Sequence, residues 1–289
     1  MKSEQKPALA VIGGSGLYNM KGVKIVEERR VETPFGEPSD AITVAELDSV
    51  RLLFLPRHGK DHRILPSEIN YRANLCGLKM MGATRVVSVS AVGSMKENIH
   101  PGEIVIVDQF FDRTWGRPNT FFGDGVVGHV PFGDPVCGDM ADTLHHAAKD
   151  LGIPVHKGGT YICIQGPTFS SRAESRIFRT WNVDVIGMTN LPEARLAREA
   201  ELCYATLALV TDYDCWRSGE EDVSIDAILG IIGKNVSNAQ EIIRRSAEKL
   251  MKGAVCKCMR ALDHVIVTDK SKINEEARAR LLPIAGRVL

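Results

Sequence analysis

Neither sign of charge is in excess. Lys and Arg number 36, against 36 Asp and Glu, for a formal net charge of zero. No broad cationic field is therefore offered to nucleic acid or to an anionic membrane, and any anion must be held locally. Long apolar runs are also missing. Ala8 to Ile12 is cut off by Gly13-Gly14, short of the ~7 to 15 residues of a signal peptide's apolar region, and no run reaches the ~18 of a membrane span. A cytoplasmic protein is expected. Cysteine is not arranged as a secreted disulfide framework, because seven residues, an odd number, are scattered along the chain. Reduced thiols fit better. Cys256-Lys257-Cys258 is the exception, and pairing within it, or between Cys137 and Cys203, stays open because spacing does not fix connectivity. Repeats, low-complexity stretches and Pro/Gly/Ser linkers are absent, so residues 1–289 are expected to form one domain, with 1–7 a flexible N-terminus.

What is present is an ordinary globular balance, 44% hydrophobic and 25% charged. Five apolar, β-prone runs stop abruptly at small or polar residues: Leu9 to Ile12, Leu52 to Leu55, Val86 to Val89, Val183 to Ile186 and Ala205 to Val210. Such runs, without polar alternation, suit strands covered on both faces. Helical patterns lie between several of them. Ser67 is expected to cap a helix to about Met81, Asp139 to open one ending at Gly152, and Ser171 with Glu174 to form a capping box. Another helix follows Asn190-Leu191-Pro192, and a long apolar stripe runs from Ser224 to Met251, with Gly230 and Gly233 able to split it. The predicted fold class is α/β, with helices on both faces of a mainly parallel or mixed sheet.

Ligands of open α/β sheets bind beyond the carboxyl ends of strands. The polar residues there are Ser15, Arg57, His58, Ser90, Thr189, Asp212 and Asp214. Hydroxyls, a guanidinium and an imidazole beside glycine turns suit a phosphate, and the carboxylate pair suits a group needing an acid or an acceptor. Gly13-Gly14-Ser15-Gly16 fails as a dinucleotide fingerprint, since Asn19 stands where a glycine is required, and it lacks the Lys-Ser/Thr of a P-loop. A plain structural turn is an equal reading of it. Arg57-His58 could be a surface pair, but an arginine directly after a buried strand needs an anionic partner. His58 and His62 lack the glutamate of a zinc helix, and Asp212-Tyr213-Asp214 lacks supporting carboxylates, so no metal is expected. In an apolar crevice one aspartate could stay protonated as a general acid.

The motifs Gly-Gly-Ser-Gly-Leu at 13–17, Thr-Pro-Phe-Gly-Glu-Pro-Ser-Asp at 33–40, Arg-His-Gly at 57–59, Asn-Tyr-Arg-Ala-Asn at 70–74, Gly-Pro-Thr-Phe-Ser-Ser-Arg-Ala-Glu-Ser at 166–175 and Thr-Asp-Tyr-Asp-Cys-Trp at 211–216 resemble the methylthioadenosine phosphorylases of the trimeric purine nucleoside phosphorylase superfamily. The resemblance implies a three-layer sandwich around a twisted mixed sheet, and a cofactor-free cleavage of methylthioadenosine by phosphate in purine and methionine salvage. It implies that Ser15, Arg57, His58, Ser90, the Ala91 backbone and Thr189 hold phosphate. Phe169 and Met188 would lie against base and ribose, with Asp212 and Asp214 facing the purine edge and Asp212 donating the proton. Ser170, Ile225 and Ile228 would set specificity. His129 and Leu281 would come from a neighbouring subunit of a homo-oligomer, a trimer or dimer of trimers, with no nucleic acid or membrane partner. A 6-oxopurine nucleoside or methylthioinosine phosphorylase is the competing enzyme reading, and a non-catalytic nucleoside or phosphate sensor the competing reading of another class. A dinucleotide oxidoreductase is weaker.

Overall fold

The run from Leu9 to Ile12 lies in β1 (Ala8–Gly13), which is buried throughout because its alternate side chains enter two different cores. Ala8, Ala10 and Ile12 point to one, and Leu9 and Val11 to the other. That two-sided burial explains why the sequence shows no polar alternation. A computed structural model describes residues 6–217, 225–253 and 255–289, except the side chains of residue 15 and residues 225–229.

Among the described residues one mixed sheet contains eleven strands. The others are β2 (Lys24–Arg29), β3 (Ile42–Leu47), β4 (Val50–Pro56), β5 (Ala83–Ser94), β6 (Ile104–Ile106), β7 (Gln109–Arg113), β8 (Val155–Lys157), β9 (Thr160–Ile164), β10 (Val185–Gly187) and β11 (Cys203–Asp212). Six helices accompany them: α1 (Tyr71–Met80), α2 (Gly138–Asp150), α3 (Arg172–Thr180), α4 (Asn190–Glu199), α5 (Ile225–Lys252) and α6 (Glu275–Ala285). Leu75 of α1, Leu196 of α4 and Ile284 of α6 pack on one face, and Leu144 of α2 with Ile243 of α5 on the other, giving three layers. Four of the five apolar runs lie wholly within strands, the fifth, Val183 to Ile186, enters β10 only at Val185, and the α/β sandwich expected from them is the fold observed.

Helix ends agree less closely. Asn70, not Ser67, caps α1, its Oδ1 accepting from the Ala73 N–H at 3.1 Å, because Glu68 instead folds a turn onto the Leu65 N–H at 3.1 Å. Cys137 stands at the cap of α2, with Asp139 inside the first turn. The Ser171–Glu174 capping box is present in both directions. α5 runs through Gly230 and Gly233 without a break. Two glycines cost about 2 kcal/mol of helix propensity, less than packing of a long apolar stripe returns.

One strand positions the site. β5 pairs with β1 as far as Ser88 and with β10 from Gly93, both on the same side, while β11 runs along its other side. Between Ser88 and Gly93 no described strand covers the first side, so the sheet forks there. Such a fork is a topological switch point, where open α/β sheets bind ligands.

Candidate active site

Arg57 follows the last residue of β4 and is only 2% exposed, at the root of the fork. Its guanidinium clasps Glu193 of α4, with Nε to Oε2 at 2.7 Å and Nη2 to Oε1 at 2.9 Å. Nη2 also reaches Ser88 Oγ at 2.7 Å, and Nη1 donates to the Val89 carbonyl at 2.9 Å. Glu193 Oε1 further accepts from Ser88 (2.8 Å) and Tyr204 (2.9 Å). Burial alone would lower the arginine's pKa, but the Glu193 carboxylate more than reverses it, so the guanidinium stays charged. The expected partner anion is thus found within the chain. Of the five guanidinium hydrogens, one on Nη1 is left for a ligand.

Above this pair lies a cluster of hydroxyls. Ser90 Oγ is 3.1 Å from Thr189 Oγ1 and 3.2 Å from Tyr161 Oη. Ser90 belongs to the uncovered stretch of β5, Thr189 precedes α4, and Tyr161 comes from β9. Ala91, beside Ser90, is exposed. A Cβ on Gly187 would stand 2.0 Å from Tyr161 Oη, so glycine there is what admits the phenol. His58 is half-buried and its Nδ1 lies 2.8 Å from the Ile64 carbonyl, which fixes Nδ1 as the donor and leaves Nε2 as an acceptor. Burial, aided by Arg57, pushes its pKa down to about 4, so the ring is neutral near pH 7.

Asp212 and Asp214 sit at the carboxyl end of β11, across from Gly93. A Cβ on Gly93 would come within 2.9 Å of Asp212 Oδ1. The Thr211 hydroxyl is 2.6 Å from Asp212 Oδ2, and the Asp214 N–H donates to Oδ1 at 2.8 Å. Burial raises the pKa of both carboxyls, against those hydrogen bonds for Asp212. Cys215 links this edge to the next loop by donating to the Ser170 carbonyl at 3.2 Å. Phe169 on that loop is 48% exposed, and the buried Ser170 hydroxyl has no partner among the described residues. Met188 is held by Arg117, whose Nη1 donates to the Met188 and Leu191 carbonyls at 2.8 Å each and Nη2 to the Gln165 carbonyl at 2.7 Å.

The structure thus brings Arg57, His58, Ser90, Thr189, Met188, Asp212 and Asp214 to the carboxyl ends of the strands about the fork. Ser15 begins a 3-10 turn directly after β1 and Ile225 with Ile228 lies in the first turn of α5, but the side chains of all three fall outside the described residues. His129 is exposed, its N–H bonded to the Val265 carbonyl at 3.1 Å. Leu281 corrects an expectation: it is fully buried in the chain's own core beside Ile284 and cannot reach a neighbouring subunit. The exposed residue of that turn is Leu282, at 65%. Sequence reasoning missed Glu193, Tyr161 and Arg117. Glu193 lies 136 residues from its arginine, and no local pattern announces such a pair.

The profile of the phosphorylase superfamily matches residues 8–248. An S-methyl-5'-thioadenosine phosphorylase of Geobacter sulfurreducens is 56% identical over 279 residues, covering 96% of this chain and 98% of its own length. The chain belongs to the S-methyl-5'-thioadenosine phosphorylase family. Its relative from Koribacter versatilis is 51% identical over 96% of each chain. A methylthioadenosine phosphorylase structure from an antarctic soil metagenomic library superposes with a TM-score of 0.93 at 46% identity, covering 97% of this chain and 99% of that one. The methylthioadenosine phosphorylase of Schistosoma mansoni, solved with adenine, gives 0.86 at 38% identity over 92% and 100%. No helix among the described residues is long and apolar enough to cross a membrane.

Proposed function

We propose that the chain is a pentosyltransferase that cleaves S-methyl-5'-thioadenosine with inorganic phosphate, giving adenine and 5-methylthioribose 1-phosphate without a cofactor. The observation that carries the reading is the juxtaposition at one fork of an anion-suited hydroxyl cluster with a half-buried carboxyl of raised pKa. Those are the two groups that breaking an N-glycosidic bond requires. Positive charge gathers on the sugar as the C1'–N9 bond opens, and its electron pair leaves with the purine. Phosphate below C1' stabilises the first and forms the new C1'–O bond. A proton delivered to N7 relieves the second, and Asp212 is the donor.

The phosphate end follows from its chemistry. Ser90 and Thr189, with the uncovered backbone at Ala91, donate to phosphate oxygens. Neutral His58 accepts the phosphate's own O–H at Nε2. Arg57 contributes one N–H and, through Glu193, the rigid placement of the β5 edge. Ser15 joins this set by its position after β1. At the other end Phe169 stacks on the base, Met188 lies against the ribose, and Asp214 with Ser170 receives the 6-amino edge. The family resemblance assigns Ile225 and Ile228 to the methylthio side. His129 completes a neighbour's site in a trimer or dimer of trimers, a reading supported by exposed Val127 and Val267 on the same surface. Leu282 takes the place once expected of Leu281.

One observation favours a second substrate. Burial raises the Asp212 pKa, and whenever its carboxyl holds a proton it can donate to a 6-oxo group as well, which makes methylthioinosine the substrate to test against methylthioadenosine. Steady-state assays of methylthioadenosine, adenosine, methylthioinosine and inosine, with and without phosphate, decide between them. Methylthioadenosine should give the highest kcat/KM and release adenine only when phosphate is present. Binding without phosphate-dependent adenine release would instead identify a sensor.

A further inference from the structure

Four of the seven cysteines converge in space. The Sγ atoms of Cys137, Cys203, Cys256 and Cys258 all lie within 4.8 Å of one another, and Cys137 and Cys256 are 3.7 Å apart. Cys137, Cys203 and Cys258 are buried and Cys256 is half-buried. They come from three places: the cap of α2, the first residue of β11, and the start of the 3-10 turn Lys257–Arg260. We infer that these four cysteines form a closed tetrathiolate site for a structural zinc ion.

The geometry suits that ion. Four sulfurs at the ~2.3 Å zinc–thiolate distance form a tetrahedron with edges of roughly 3.8 Å, and the Cys137–Cys256 separation of 3.7 Å is such an edge. Cys-x-Cys and two further cysteines supply all four positions, leaving none for water, as in a structural rather than a catalytic site. Soft sulfur ligands in tetrahedral array select zinc over magnesium or calcium. A zinc tetrathiolate carries two net negative charges. Arg85 and Lys249, against the single carboxylate of Asp139, line the cavity that Cys137, Cys203 and Cys256 border, and the N-terminal end of α2 adds its partial positive charge at Cys137. Binding balances as one Zn²⁺ taken up, four Zn–S bonds formed and four thiol protons released to solvent.

The site would fasten the segment that leads from α5 toward α6 onto α2 and the beginning of β11. Cys203 and Asp212 occupy opposite ends of β11, about 30 Å apart at strand rise. The ion is therefore structural and independent of the reaction proposed above.

Elemental analysis of full-length protein, purified under reducing conditions without chelators, should find about one zinc per chain. X-ray absorption should show four sulfur scatterers. Metal-stripped protein titrated with Co²⁺ should develop the spectrum of tetrahedral cobalt thiolate, saturating at about one equivalent. Cys258→Ser should lose the metal and lower Tm, while Cys76→Ser, a buried free cysteine elsewhere, should keep it. The inference is overturned if reduced protein, with all four thiols shown free by alkylation, takes up neither zinc nor cobalt. It is equally overturned if the protein purified under reducing conditions carries these cysteines as two disulfides and holds no metal. Should Cys258→Ser fail to fold, the cobalt titration of the unsubstituted protein still decides.

Discussion

At the phosphate end of the crevice, Glu193 accepts four hydrogen bonds and Arg57 donates to Glu193, Ser88, Val89 and Ile12, all within buried protein. At the base end, Phe169 is half in solvent, Ser170 has a buried hydroxyl with no partner among the described residues, and two carboxyls sit at raised pKa. The first end is built to stay still, since each charge there is neutralised before any ligand arrives. The second is left under-satisfied, so a purine edge can supply what the protein withholds. Fixed donors cost nothing to reorganise during reaction, whereas unpaired polar groups give selectivity for a ligand that pairs them.

The largest way to break this contrast is to open the saturated end. Glu193→Ala should lose about 3–5 kcal/mol of stability in urea unfolding, because Arg57 would remain buried without its counter-charge. The pair replacement Arg57→Met with Glu193→Leu should recover most of that loss yet stay inactive, which separates scaffold from chemistry. At the other end, Asp212→Asn should leave folding nearly intact and lower kcat on methylthioadenosine about 100-fold or more. Relative use of methylthioinosine should rise. An unchanged ratio of the two substrates would remove Asp212 from the base edge. As the general acid is the protonated form, kcat of the unsubstituted enzyme should fall as pH rises through the raised Asp212 pKa, and Asp212→Asn should flatten that limb.

A smaller effect sharpens the comparison at His58. Its folded pKa of about 4 lies below the ordinary 6.5, so between those values the unfolded chain binds the proton first. Stability is therefore full above pH 6.5, declines as pH falls, and levels off below about 4. With the ring only partly enclosed, the decline should be about 1–2 kcal/mol, and His58→Gln should remove it from a series of unfolding curves across that range.

Much of the frame was readable because both faces of the central strands are covered. Leu9 to Ile12 and Ala205 to Val210 needed no partner to declare themselves, and Ser171 with Glu174 wrote its own cap locally. β2, β3 and β6 to β9 gave no comparable signal. β2 is exposed throughout, so no apolar run marks it, and β6 and β8 are only three residues each, too short to stand out even where, as in β6, they are buried. In the site, residues that end a strand were legible, such as Arg57 and Asp212. Residues defined by a distant partner were not: Tyr161 matters only because Gly187 lets it reach Ser90. Leu281 and Leu282 adjoin on one helix, and only packing tells which faces inward.

The fork in β5 also sets a clock. A strand enclosed in the middle of a sheet ordinarily exchanges its amide hydrogens only when the whole domain opens. Val89 to Val92 depart from that rule, being paired to β11 on one side and uncovered on the other. Amides facing the gap should therefore exchange early although Val89, Ser90 and Val92 are buried. Ligand occupying the gap would slow them, turning a four-residue stretch of backbone into a direct reporter of occupancy.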